Sequence, residues 1–295
     1  MNSYQVYPEG GNLDRDFLIQ PVDPISRFIR PDTPIASMGS CFALEIRARL
    51  RERNFNFIQA EESDTGSAQW GRVYTTKNML QIFQYTFSEF LPEIRVARSS
   101  RGVFDPYREG IFYSTEDEAA RSIADHVTRS RSALTDCEVL ILTIGQNETW
   151  VCKSDGLAWA HKPPAELVET HGADFFDLKR FTLAENIEYL NETLRLFWTN
   201  NPSAKVIFTV SPVPSYATFY DVNVAVRSFE NKANLLLAIK EVISQNPERC
   251  DYFPSFEMAM LSNNKALQLD NRHVRPTVVE GIMDSFDSRF VIDGK

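Results

Sequence analysis

The chain has 295 residues, 43% of them hydrophobic and 24% charged, a composition that suits one large folded domain and excludes extended disorder. Its formal net charge of -9 excludes a surface built to neutralise phosphates, so nucleic acid is not an expected partner. No run approaches the ~20 apolar residues that span a bilayer, and the opening residues lack a basic stretch followed by an apolar one, so a cytoplasmic protein with no membrane partner is expected.

In chain order, residues 1–30 read as an N-terminal extension and 31–290 as a single domain. "PIASM" leads as a strand into Gly39, and Phe42, Ile46 and Leu50 then recur every fourth residue, predicting a helix from Phe42 to about Arg53. Gly71, in "QWGRVYTTKNMLQ", precedes a second helical pattern. Residues 92–120 are mixed in charge and read as an irregular insertion. "VLILTI" (139–144) and "KVIFTV" (205–210) are apolar runs of strand length, of the kind covered on both faces in a parallel sheet. Between them lies a helix in which Thr182 and Glu185 stand at capping-box spacing, Ile187, Leu190, Leu194 and Phe197 form one stripe, and Pro202 closes the segment. A helix over 224–245, a short strand within "CDYFPSFE" (250–257) and a terminal helix within "RPTVVEGIMDSF" complete the pattern. Alternating strands and helices predict a doubly wound α/β fold, whose ligands bind at the carboxyl ends of the strands.

The residues that follow those strand ends carry the chemistry. Ser40 stands between a glycine and a helix start, where unsatisfied N–H groups stabilise developing negative charge; it reads as a nucleophile or as an ordinary helix cap. Cys41 is the competing nucleophile, and if Ser40 points into the cleft, Cys41 points to the core. Asp270 precedes His273 by three residues in "LDNRH", a spacing that lets a carboxylate orient an imidazole acting as a base; surface residues in a polar loop give the same spacing. Asn147, in "GQNETW", offers an amide to an oxyanion or simply occupies a turn, and the same two readings hold for the Gly71 N–H. Trp150, His161 and Lys162 lie near the same strand end as candidate substrate contacts. His126 and His171 are given no role. The four cysteines, Cys41, Cys137, Cys152 and Cys250, form no C-x-x-C pair, so reduced thiols and no metal site are expected.

Gly39-Ser40, Gly71, Gly145 to Asn147 and Asp270 to His273 occur in the order of the four blocks of the SGNH, or GDSL-like, hydrolase superfamily. "GSCFA" at 39–43 resembles the signature of the GSCFA family, as do "WGRVYTTKNMLQI", "AHKPP", "VIFTVSPVP", "ENKANLLLAI" and "DNRHVRP". The sequence departs from the superfamily in having Glu148 where an aspartate usually follows the asparagine, and in placing its proline at 276 rather than directly after the histidine. The resemblance implies a flavodoxin-like α/β/α sandwich with Ser40 as nucleophile, His273 as base and Asp270 as its orienter. It further implies an oxyanion hole from the N–H groups of Ser40 and Gly71 with the Asn147 amide. It implies an acyl-ester hydrolase, acting on O-acyl groups such as O-acetyl on carbohydrate through an acyl-serine, with no cofactor. An O-acyltransferase of polysaccharide modification is the alternative reading, and a non-catalytic binding protein of the same fold is the third.

Overall fold

The computed structural model describes residues 27–292, apart from 64, 89–91, 93, 161 and 262–265. All but the last four residues of the expected N-terminal extension lie outside the described residues. Strand β1 (Ile35–Gly39) runs into α1 (Phe42–Glu52), which is followed by α2 (Thr76–Phe87) and three short strands, β2 (Ala97–Ser99), β3 (Gly102–Phe104) and β4 (Phe112–Tyr113). Next come α3 (Glu116–Thr135), β5 (Val139–Ile144), β6 (Glu148–Cys152), α4 (Ala165–His171), β7 (Phe176–Arg180) and α5 (Leu183–Asn200). The chain continues through β8 (Lys205–Val210), α6 (Val224–Gln245), β9 (Cys250–Tyr252), α7 (Ser255–Leu261) and α8 (Pro276–Phe290).

The central sheet has the order β1-β5-β8-β9, and all its pairings are parallel. Parallel strands need long crossovers, and helices supply them, burying both faces of the sheet. Alternate residues of each strand therefore enter different cores. Ala36, Met38, Leu140, Leu142, Val206 and Phe208 pack with α2, α5 and α6, whereas Ile35, Val139, Ile141 and Ile207 pack with α1 and α8. The expected three-layer α/β/α sandwich is the observed one.

The chain that leaves α1 returns to the free edge of β1. Ile35 N–H donates to Asn56 O at 2.9 Å, and Ile58 N–H donates to Ile35 O at 2.8 Å. β1 thus has the next extended segment on one side and β5 on the other. The order of the sheet reverses at β1, and its carboxyl end is the switch point at which open α/β sheets bind ligands.

The helices expected over 42–53, 182–202 and 224–245 are α1, α5 and α6, and the Thr182–Glu185 capping box is present. Two expectations change. Residues 92–120 are more ordered than an irregular loop, because 97–113 folds into the antiparallel sheet β2-β3-β4; its strands of two or three residues are too short to display an alternating pattern. The strand sought over 250–257 ends at Tyr252, since Pro254 cannot donate to a ladder, and Ser255 already begins α7. The pairing of β6 with β7 was not anticipated from the sequence.

Gly39 closes β1 at a φ of 151°, and a Cβ there would lie 2.2 Å from Thr143 O on β5. Any side chain at 39 must push the two strands apart. Gly39→Ala is expected to destabilise the fold by ~2 kcal/mol or more, the sum of overpacking and backbone strain, read as a lower midpoint in urea.

Candidate active site

The turn after β1 is clamped from two sides. Ser40 N–H donates to Thr143 O at 3.0 Å, and Val73 N–H donates to Gly39 O at 2.8 Å. Ala43 N–H bonds Ser40 O at 2.8 Å, so α1 opens with a tight turn and Cys41 is its cap residue. No side chain caps this helix. Ser40 is 1% exposed, and its Oγ is enclosed with no partner among the described residues. Cys41 is half-buried. Ser40 is thus the more enclosed of the pair and Cys41 the more exposed. The physical reason lies in the clamp, because Gly39 and Ser40 still belong to the β1–β5 ladder and Cys41 is the first residue free of it.

Three cations act on Cys41 from three different segments. Burial raises the thiol above its ordinary value, and Lys232, Arg72 and Arg272, in that order, pull it back down. Lys232, on α6, is itself wholly enclosed, and burial pushes its amine down to about 7. Arg72 pairs with Glu109 at 2.8 Å, and the Arg272 guanidinium lies 4.9 Å from the centre of the exposed Tyr216 ring. Tyr74 completes the surround, its phenol pushed up to about 12 by burial and then by Glu109. In a chain of net charge -9, this is a local concentration of positive charge.

Asp270 and His273 come together as the spacing implies. Asn271, at φ 58°, turns the loop, and Leu267 and Val274 bridge its stem. Asp270 Oδ1 accepts the backbone N–H groups of Arg272 and His273, both at 3.0 Å, while Oδ2 bonds His273 Nδ1. The Arg272 N–H, followed by the His273 side chain, holds the Asp270 carboxyl down at about 2. His273 is exposed, and its charge is felt by Glu45 on α1. Glu45 lies one helical turn beyond Cys41 on the same side of α1.

The remaining sequence-derived residues divide. Gly71 has φ 68° and its Cα lies so close to Glu109 that a Cβ would sit 2.5 Å from Glu109 O; its segment reaches the turn through Val73. Trp150 and Lys162 do share a cavity of about 140 Å³ with Arg72, Tyr74, Gln146 and Phe219. Trp150 meets the Phe219 ring edge-on at 5.6 Å, and Lys162 Nζ lies 5.9 Å from the same ring centre. His161 lies outside the described residues. Asn147 is wholly buried, and its amide donates to Phe181 O at 2.7 Å while its oxygen accepts from Asn186 Nδ2 at 2.7 Å. Those bonds tie Asn147 to the β7–α5 junction. The Ser40 N–H, expected in an oxyanion hole, is held by Thr143 O, whereas the Cys41 N–H bonds no carbonyl among the described residues.

Sequence reasoning missed Lys232, Arg72 and Arg272. For Lys232 a signal existed, because it stands three and seven residues before Leu235 and Ile239 on the buried stripe of α6. A lysine in such a stripe is seldom enclosed without cause.

Residues 34–286 match the GSCFA family. The chain belongs to the GSCFA family. No curated protein matches this GSCFA chain. Among solved structures it is similar to a carbohydrate esterase family 3 protein from Talaromyces cellulolyticus, at 13% identity over 87% of this chain and 95% of that one, with a TM-score of 0.39. A mutant acetyl esterase with acetate ion gives 13% identity, the same two coverages and a TM-score of 0.37. A Streptococcus pneumonia protein assigned as a platelet activating factor gives 15% identity over 52% of this chain, with a TM-score of 0.32, and the GSCFA chain spans 59% of its length.

The exposure pattern makes a direct prediction about thiols. Cys137, Cys152 and Cys250 are 2%, 1% and 5% exposed, and burial pushes the first and third up to about 12. Iodoacetamide applied to the folded protein is expected to modify Cys41 first, as read by peptide mass spectrometry; modification of Cys137 ahead of Cys41 contradicts the assigned exposure.

Proposed function

We propose that this protein is an acyl-ester hydrolase that works through a covalent acyl-enzyme on Cys41, with His273 as its acid and base. The observation that carries the reading is the half-buried Cys41 at the sheet's switch point, with a carboxylate-bound histidine whose charge reaches Glu45 in the first turn of the same helix. Ser40 resembles the nucleophile of the wider hydrolase superfamily, but its enclosed Oγ and its held N–H favour its neighbour.

The cycle balances with the thiolate and the imidazolium as the reactive forms. Cys41 Sγ attacks the acyl carbon, the carbonyl oxygen takes up the negative charge, and the Cys41 N–H at the start of α1 donates to it, with the Gly71 N–H as a candidate second donor. The carbon–oxygen bond of the ester breaks as His273 Nε2 gives its proton to the departing alcohol. Water then enters, His273 takes a proton from it, and the resulting hydroxide displaces Cys41 as thiolate and releases the acid. Asp270 holds the ring in one orientation and stabilises its charged form throughout. The aromatic and polar walls of the neighbouring cavity, Trp150, Phe219, Gln146 and Lys162, suit the alcohol part of an O-acyl carbohydrate.

The test is hydrolysis of short-chain p-nitrophenyl esters, with intact-mass detection of the acyl-enzyme. Cys41→Ala is expected to abolish both turnover and the acyl adduct, Ser40→Ala to retain both, and His273→Ala to lower turnover by ~10² to 10⁴. Full turnover in Cys41→Ala, with loss in Ser40→Ala, returns the nucleophile to Ser40 and sinks this mechanism.

A further inference from the structure

α2 and α3 each turn one stripe of residues toward a cavity of about 510 Å³. From α2 come Asn78, Gln81, Ile82 and Tyr85, and from α3 come Ile123, His126, Val127 and Ser130, both sets at the spacing of a single helical face. The segment after α2 and the β2-β3-β4 insertion supply the rest of the wall, with Pro92, Arg95, Asp105, Tyr107 and Arg108. The volume is that of a small-molecule site. Asn78 also lines the smaller cavity beside Trp150. Its Nδ2 donates to Ala158 O at 3.1 Å and its Oδ1 accepts the Thr75 hydroxyl at 2.6 Å, so it is a fixed partition between the two cavities.

The buried polar groups of this wall bond to one another. Gln81 Nε2 donates to Ala158 O at 2.9 Å while its Oε1 accepts the Ala158 N–H at 2.7 Å. Asp105 and Arg108, both buried, pair at 2.7 Å. His126 Nδ1 bonds Glu61 Oε2 at 2.5 Å, which leaves Nε2 to accept from Ser130 Oγ at 3.3 Å, and Ser130 Oγ accepts the Trp70 indole N–H at 2.7 Å. Glu61, His126 and Ser130 have the order of a hydrolase triad, but Ser130 lies in the interior of α3, where backbone N–H groups are bonded within the helix and none is left to hold an oxyanion. This network builds a wall and leaves little for a ligand's polar groups to bond.

What the cavity presents is apolar surface and one cation. Ile82, Pro92, Ile123 and Val127 are aliphatic, and the Tyr85 and Tyr107 rings meet each other at 5.5 Å, too close to admit a third ring between them. Such walls suit a flexible chain better than a planar ring. Among the charged lining residues Asp105, Arg108 and His126 are buried, whereas Arg95 is exposed and has no ion pair or hydrogen bond among the described residues. Asp105 is matched by Arg108, so the charge left over on the lining is that of Arg95, on the solvent side.

We propose that this cavity binds a carboxylate with a straight aliphatic chain, the chain lying between α2 and α3 and the carboxylate beside Arg95. Each part of such a ligand meets its complement. The CH₂ groups leave water for aliphatic walls, the bonded polar groups of the wall require nothing from the chain, and the carboxylate keeps its hydration while the guanidinium attracts it. An uncharged chain of the same length loses only the last of these. The binding is non-covalent and needs neither Cys41 nor His273.

The experiment is calorimetric titration of the full chain with hexanoate, octanoate and decanoate, and with octanamide as the uncharged control. Affinity is expected to rise by ~3- to 4-fold for each added CH₂. Arg95→Gln is expected to weaken octanoate by ~2- to 5-fold, the range of an exposed ion pair, and to leave octanamide unchanged. Ile123→Trp, which fills the cavity, is expected to abolish decanoate binding in a protein whose circular dichroism is that of the wild type. Cys41→Ala is expected to bind decanoate as the wild type does, so this proposal and the hydrolase reading fail separately. Absence of saturable decanoate binding, undiminished binding in folded Ile123→Trp, or an octanoate affinity that Arg95→Gln does not lower relative to octanamide overturns the proposal. Where Ile123→Trp fails to fold, photocrosslinking of the wild type with a diazirine-bearing decanoate decides the matter: adducts within α2, α3 or the segment around Arg95 support the site, and adducts confined to other segments overturn it.

Discussion

The contact on which the site depends is the one between Gly39 and Thr143. Parallel pairing of β1 with β5 runs up to Gly39, where the absent side chain lets the two strands meet at a distance no Cβ tolerates. The Ser40 N–H then bonds Thr143 O, which extends the ladder by one residue and holds the serine inside the sheet. Cys41 is released at the first position where the backbone can turn. Which residue of the Ser-Cys pair is enclosed and which is half-buried is set by where the ladder ends, not by the chemistry of either side chain.

That decision was not visible in the sequence. Strand-length apolar runs, four-residue spacings and a capping box gave the layers, the main helices and the parallel sheet, because those signals reside in periodicity. Asp270 and His273 were legible for a similar reason, since three residues of separation let one short turn join them. The extent of a ladder depends on close approach between strands a hundred residues apart, and no local pattern encodes it. The same limit hid the role of Asn147. Its position after β5 matched an oxyanion donor, but Phe181 O and Asn186 reach it from distant segments and hold it in the core.

The cations around Cys41 show how a charge distribution can escape a reading based on totals. An acidic chain keeps Lys232, Arg72 and Arg272 near one thiol by drawing them from α6, from the segment before α2 and from the loop before α8. Arg72 is balanced by Glu109, and Arg272 lies against Tyr216. Lys232 has only carbonyls. Surface charges at such distances are weakened by solvent and salt, whereas an enclosed one keeps its field.

A cysteine at a helix start ordinarily gains thiolate character from the helix and from exposure. Here burial works in the opposite direction, raising the thiol despite three cations. Two effects of burial thus meet at one point, since the same enclosure that makes the thiol hold its proton makes the amine give its own up. Fixing Lys232 by two carbonyls that follow β5 and β8 ties this balance to the sheet itself. A glycine at 145 admits the lysine nitrogen beside the turn that follows β1, since a Cβ there would lie 3.6 Å from Nζ, so the packing of the strand ends and the enclosure of Lys232 are one arrangement.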